Sequence, residues 1–128
     1  MTATAWDPPL DAVAKKIGMR VEQVARGVKI KVFSQVVQNE RVLSGRLAGN
    51  WIFSVDKPSE ETIDRQFNGG AEKGRVVNKI ESGARGTGTD WLSNNLPYAA
   101  RWEREDQKIP TAIARVERNI REEVARVR

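Results

Sequence analysis

From Leu10 onward, apolar residues return at steps of three and four: Leu10, Val13, Ala14, Ile17, Val21, Val24, Ala25, Val28 and Val32, with Val36 and Val37 beyond. That spacing lays one apolar stripe along a helix. Asp7-Pro8-Pro9 is a strong start signal, with Asp7 as N-cap and Pro8 at the first helical position, where a missing N–H costs nothing. The pattern predicts a long N-terminal helix running to about Val42, about 50 Å in length, although Gly18 and Gly27 each weaken it by about 1 kcal/mol relative to alanine. Phe33 lies off the centre of the stripe and is expected either to meet a neighbouring subunit or to pack on a local strand. Gly45 and Gly49 end the helical pattern, and Asn50 to Val55 then alternates as a strand, with Trp51 and Phe53 on one face and Ile52 on the other. Residues 1–6 neither repeat nor alternate and are expected to form a flexible arm that docks through Trp6.

Asp56 to Thr89 holds six of the ten glycines and reads as a mobile, glycine-rich segment, with few side chains able to form a core. Within it, Val76, Val77 and Ile80 predict a short helix over Ala71 to Ser82, and Thr62 to Phe67 is a possible strand. Asp90 to Ser93 is the next strand, expected to pair with Asn50 to Val55. Arg104 to Lys108 reads as a charged loop. Pro110-Thr111 then opens the last helix, with Thr111 as N-cap and Ile113, Val116, Ile120 and Val124 as its stripe, extended by Val127. Its opposite face carries Arg115, Arg118, Arg121, Glu122 and Arg126, and Glu122 to Arg126 is a favourable pair spaced by four.

Composition narrows the chemistry. With 128 residues at 39% hydrophobic content, the chain is long enough for one domain, 1–128, with a modest core. It has no cysteine and no histidine, which removes disulfides, thiolate and imidazole metal ligands, and every mechanism needing a cysteine nucleophile or a histidine base. The expectation is a protein that is not an enzyme and takes no cofactor or metal. The Gly83-Ala84-Arg85-Gly86-Thr87-Gly88-Thr89 run is no phosphate cradle, since it lacks the Gly-Lys-Ser/Thr ending and leads into a strand. Glu60, Glu61 and Asp64 have metal-like spacing but read as solvated surface. No apolar run reaches the roughly 20 residues that span a bilayer, and Met1 to Leu10 lacks the pattern of a secretory leader, so a soluble protein with no membrane partner, made in the cytoplasm, is expected.

The net charge is +5, and its distribution matters more than its size. Between Lys15 and Arg46, eight basic residues (Lys15, Lys16, Arg20, Arg26, Lys29, Lys31, Arg41 and Arg46) face only Glu22 and Glu40, a net +6. Such a basic face is either solvated surface or a surface for polyanion or an acidic partner.

Trp91 to Glu103 concentrates three of the eight aromatics, two asparagines and a proline in thirteen residues. It reads as a strand end, a turn set by Asn94 and Asn95, and a short helix opened by Pro97 that carries Tyr98, Trp102 and Glu103. Asn94-Asn95-Leu96-Pro97-Tyr98-Ala99 followed by Glu103 resembles the "NNLPYA..LE" signature of the small tail-completion, or head-to-tail joining, proteins of tailed bacteriophages. Upstream, Ser44-Gly45-Arg46-Leu47-Ala48-Gly49-Asn50-Trp51 is similar to that family's "TGR.RGNW" junction between its long first helix and its first strand. The order and spacing of the two blocks also agree. The sequence departs after Glu103, where the family continues with a glycine, an aromatic and a "QAP.GMV" run, whereas here the chain reads REDQKIPTAI and only Gln107 and Pro110 keep part of the pattern.

These readings predict an α+β fold: a long N-terminal helix, a small mostly antiparallel sheet, and a C-terminal helix packed on the sheet. The resemblance implies a virion structural protein, a subunit of a ring, most often six-fold, that completes the tail or joins tail to head. Its partners would be copies of itself and neighbouring connector and tail proteins, with transient contact with passing DNA. Arg46, Asn50, Trp51, Asn94, Asn95, Pro97, Tyr98, Trp102 and Glu103 are the expected interface or structural corner, Arg46 as a surface arginine, as a C-terminal helix cation or in a salt bridge across a subunit boundary. The basic face comprises Lys15, Lys16, Arg20, Arg26, Lys29 and Lys31. The alternative function is a small basic nucleic-acid-binding protein using the first helix, against which stands the absence of aromatics among those basic residues.

Overall fold

In a computed structural model, which describes residues 10–18, 20–42 and 44–126, the first apolar stripe is divided between two helices, α1 (Leu10–Ile17) and α2 (Val21–Gln38). The single helix expected from the pattern is therefore corrected. Gly18 sits at φ 72°, a left-handed conformation that ends a helix and that glycine adopts without a Cβ penalty. At 18 residues, α2 is about 27 Å long rather than about 50 Å. The stripe itself is real: Ala14 on α1 and Val24, Ala25, Val28, Val32, Val36 and Val37 on α2 are all buried. The expected arm over 1–6 and the start at Asp7-Pro8 lie outside the described residues, as do the side chains of Val13, Lys16 and Ile17.

A short helix α3 (Arg46–Gly49) leads into β1 (Trp51–Val55). Gly45 precedes it at φ 89°, and a Cβ there would lie 2.7 Å from the Gly69 carbonyl oxygen, so the close approach of these two backbone stretches requires glycine. α4 (Ala71–Gly83) follows, then β2 (Asp90–Asn94), α5 (Ala99–Asp106) and α6 (Lys108–Arg126). The two strands pair antiparallel in the register Trp51↔Asn94, Ile52↔Ser93, Phe53↔Leu92, Ser54↔Trp91 and Val55↔Asp90. This is the predicted pairing, and it places Trp51, Phe53 and Leu92 on the face that joins the core. The core gathers Ala14, five valines of α2, Trp51, Val76 and Ile80 of α4, and Ala112 and Val116 of α6.

The fold class is α+β, but its layering differs from the expectation. α6 packs mainly on α2 and α1, while α4 lies on β1. The helix placed on the sheet is thus α4, from within the glycine-rich segment, and the C-terminal helix is a helix-bundle partner. Phe33 packs edge-on against Phe53 of β1, with ring centroids 6.1 Å apart, which resolves its two readings in favour of the local strand. Residues 62–67 are irregular and not a strand. The charged stretch 104–106 belongs to α5, so the expected loop is also corrected. No helix among the described residues is long and apolar enough to cross a membrane.

Candidate functional site

The two sequence blocks, more than forty residues apart, meet in one corner. The last residue of β2, Asn94, pairs with the first of β1, Trp51, and the Asn94 side-chain amide donates to the Leu47 carbonyl at 2.9 Å in a buried setting. Its oxygen accepts from the Leu96 amide at 3.4 Å, so one side chain fixes both the α3–β1 junction and the turn after β2. Leu47, Leu96 and Ala99 then form a small second core, with Tyr98 and Trp102 packed against it. Pro97 and Tyr98 make the turn that precedes α5, so Pro97 stands just before the helix rather than at its first position, a difference within the usual uncertainty of helix ends.

The asparagines chosen from sequence act as staples for the chain beyond β1. Asn50, 1% exposed, closes α3 by donating to the Arg46 carbonyl at 2.8 Å, and it engages both backbone groups of Ile63, accepting from its amide at 2.7 Å and donating to its carbonyl at 3.2 Å. That two-point bond imitates a neighbouring strand. Asn95 donates to the carbonyls of Ser59 at 2.7 Å and Glu61 at 2.9 Å. Residues 59–63 are therefore held at three backbone positions by the corner. Arg46 is exposed, in keeping with its reading as a surface arginine, and is the first residue of α3, which corrects the alternative reading as the closing cation of a long helix.

Glu72 completes this side of the molecule and was not singled out from sequence. Its buried carboxylate is paired with Arg65 and accepts from Arg75 and from the Asn68 amide, each at 2.8 Å, and the side chain lies against Gly45 through Cγ and against Gly49 through Oε1. The Arg65 hydrogen bond, aided by the Asn68 amide and the charge of Arg75, outweighs burial and holds this carboxyl below the usual carboxylate range. The available signal was positional: Glu72 lies on the same helical stripe as Val76 and Ile80, all three buried.

On the other flank of the corner, charge is layered around two tryptophans. Trp51 donates its indole N–H to Glu40 at 2.9 Å, and the buried Lys108 ammonium bridges Glu40 at 3.1 Å and Asp106 at 3.4 Å. Arg41 grips Asp106 with two hydrogen bonds of 2.8 and 2.7 Å while lying over the Trp102 ring, 4.4 Å from its centre. Held first by Arg41 and then by Lys108, the Asp106 carboxyl is lowered to about 2. Glu103 accepts from the amides of Lys108 at 3.2 Å and Ile109 at 3.0 Å, capping α6 from the preceding helix. The expected N-cap at Thr111 is thereby corrected: Pro110 lies in the first turn, where its missing N–H leaves no bond broken. Trp102 is half-buried and lines, with Arg41, Ser44, Gly45, Leu47 and Tyr98, a notch of about 100 Å³, below the few hundred Å³ of ordinary ligand clefts.

The basic face divides. Arg26 donates to the carbonyls of Ala84, at 3.0 Å, and Glu81, at the C-terminal end of α4. Lys29 donates to the carbonyls of Arg85 at 2.9 Å and Gly88 at 3.1 Å and pairs with Asp90 at 3.2 Å. Arg85 in turn binds Asp90 through its amide and guanidinium and reaches Asp56 at 3.0 Å. Burial, the largest single effect on Asp90, pushes its carboxyl up, but Arg85 and Lys29 together outweigh it and keep it below the usual range. Two members of the predicted face are thus internal fasteners for residues 81–90. Lys15, Arg20 and Lys31 are exposed. Among the described residues, Glu60, Glu61 and Asp64 join no group able to hold a metal ion. No protein-family model, curated protein or solved structure matches the chain.

Proposed function

We propose that this chain is a structural protein of a tailed-bacteriophage virion, a subunit of the ring that completes the tail or joins it to the head. The observation that carries the reading is the junction of the two blocks resembling the tail-completion family: Ser44 to Trp51 and Asn94 to Glu103 build one corner, pinned by Asn94 on the Leu47 carbonyl. A resemblance spread over two distant stretches gains weight when both stretches serve one piece of architecture. The residues are structural in character, closing turns, capping helices and stapling backbone, and the side chains that would begin histidine- or cysteine-based catalysis do not exist in the chain. On this reading the protein is not an enzyme. It is made in the host cytoplasm and resides in the virion, and its partners are further copies of itself, in a ring of six subunits by the resemblance, together with neighbouring connector and tail proteins.

The nucleic-acid-binding alternative relied on the basic face of the first helical stretch. Against it weighs the engagement of Arg26 and Lys29 with backbone carbonyls and Asp90. Electron microscopy of particles assembled without this protein tests the proposal. Heads and tails that fail to join, or tails left incomplete, are expected; complete infectious particles overturn it.

A further inference from the structure

We infer that α6 carries a docking surface for a second copy of this chain, and that its occupant is the acidic loop around residues 60–64. Arg115, Arg118 and Arg121 are all exposed and flank a shallow trough of about 510 Å³ floored by Pro110, Thr111 and Ala114. None of the three makes an ion pair among the described residues, in contrast to Arg26, Arg41, Arg65, Arg75 and Arg85, each of which binds a carboxylate or a backbone carbonyl. Residues three apart on a helix are neighbours, about 5 to 6 Å between Cβ atoms, so three guanidinium groups crowd one face and repel one another until an anion separates them.

The chain supplies a matching anion. Glu60, Glu61 and Asp64 are exposed, and none of their carboxylates takes part in an ion pair among the described residues. Their backbone is nevertheless fastened, by Asn95 at Ser59 and Glu61 and by Asn50 at Ile63. The corner thus projects three carboxylates from a held loop, which lowers the ordering cost of docking. The lengths agree as well: six residues of helix from Arg115 to Arg121 rise about 9 Å, and four residues from Glu60 to Asp64 span at most about 13 to 14 Å. Guanidinium and carboxylate pair with two parallel hydrogen bonds. Because donor and acceptor patches are different surfaces, the contact is head-to-tail and closes a ring if its rotation closes. Only that closure rests on the function proposed above.

The test is sedimentation of the purified chain at low and high salt, with three variants: the triple Arg115→Glu, Arg118→Glu, Arg121→Glu; the triple Glu60→Lys, Glu61→Lys, Asp64→Lys; and both sets together. All should melt like the parent, since the six side chains are exposed. The parent should self-associate in a salt-sensitive way, each triple should weaken association about tenfold or more, as three exposed pairs acting together would, and the combined variant should restore it. A parent that remains monomeric, an association indifferent to the triples, or a combined variant that fails to recover overturns the contact. So does duplex DNA binding that the arginine triple abolishes while self-association is unchanged, because it assigns the row to phosphate. Rings that form despite both triples overturn this contact and leave the ring reading standing; a confirmed contact in a protein whose absence leaves virions complete does the reverse.

Discussion

Arg26 and Lys29 on α2 and Arg115, Arg118 and Arg121 on α6 are similar cations on similar helices, yet the first pair is bonded to residues 81–90 and the second set is bonded to nothing among the described residues. The difference follows from what lies opposite. α2 is the central helix, packed by α1, α4 and α6, so its polar side chains meet the end of α4 and the turn that leads into β2, where carbonyls lack helical partners and Asp90 is buried. α6 lies at the margin and offers its arginines to solvent. Charge density along a sequence therefore does not identify a binding face; the topology decides which cations are left over.

Removing the buried anion breaks the α2 side of this comparison most severely. Asp90→Ala leaves Lys29 and Arg85 facing each other without their shared carboxylate. We expect a loss of about 3 kcal/mol in urea denaturation, near the lower end for breaking a buried pair, because both cations are still partly exposed. A variant as stable as the parent would mean that the 84–90 turn is held by backbone bonds alone. The α6 arginine triple should leave the same measurement almost unchanged.

Trp102→Ala should come next. Full burial of Trp102 predicts a loss of about 3 to 5 kcal/mol; half-buried, with Arg41 4.4 Å and Arg101 5.8 Å from its ring centre, it should lose about 2 kcal/mol, comprising partial burial and the cation–π contacts, of which that of Arg41 is the closer. Thermal melts across a Trp102→Ala and Arg41→Ala double-mutant cycle would show the coupling, and independent losses would remove the cation–π part of the argument.

Acid sharpens the contrast further. Asp90, Glu72 and Asp106 all have carboxyls held below their ordinary values. Carboxyls depressed in the folded state contribute stability that is complete above their unfolded values, near pH 4 to 4.5, and is lost as pH falls through the folded ones, which for Asp106 is about 2. The urea midpoint should therefore be level above about pH 5 and decline toward pH 2. Asp106→Asn should shallow that decline, and an unchanged slope would separate Asp106 from the acid response.

Much of this fold was legible because its core follows simple periods. The valines of α2, the Val76 and Ile80 stripe of α4, the pairing of β1 with β2, and the stripe through Val116 all follow from apolar spacing. The break at Gly18 was not, since a glycine inside a helix costs only about 1 kcal/mol and nothing local distinguishes tolerance from termination. The start of α6 was missed because its cap, Glu103, sits on the preceding helix. The corner was found by its residue types, but the roles of Asn50, Asn95 and Glu72 depend on partners at Ile63, at Ser59 and Glu61, and at Arg65, Asn68 and Arg75, and a long-range side-chain-to-backbone bond leaves no periodic trace.

The smallest expected effect is the most discriminating. Arg118 is the middle member of the α6 row, exposed and without an ion-pair partner among the described residues, so Arg118→Ala should change folding stability by less than about 0.5 kcal/mol. Removing it even relieves repulsion within the row. Were the row mere solvated surface, self-association would be equally indifferent. If it docks a neighbour's acidic loop, the same substitution should weaken association roughly threefold, the share of one exposed ion pair, and the loss should shrink as salt rises, since exposed charges are screened beyond about 8 to 10 Å near physiological ionic strength. Lys29→Ala should show the opposite profile, lowering the melting temperature by unfastening the 84–90 turn while leaving the association of the folded chain unaltered. Equal profiles for the two variants would dissolve the distinction between fastening and docking cations.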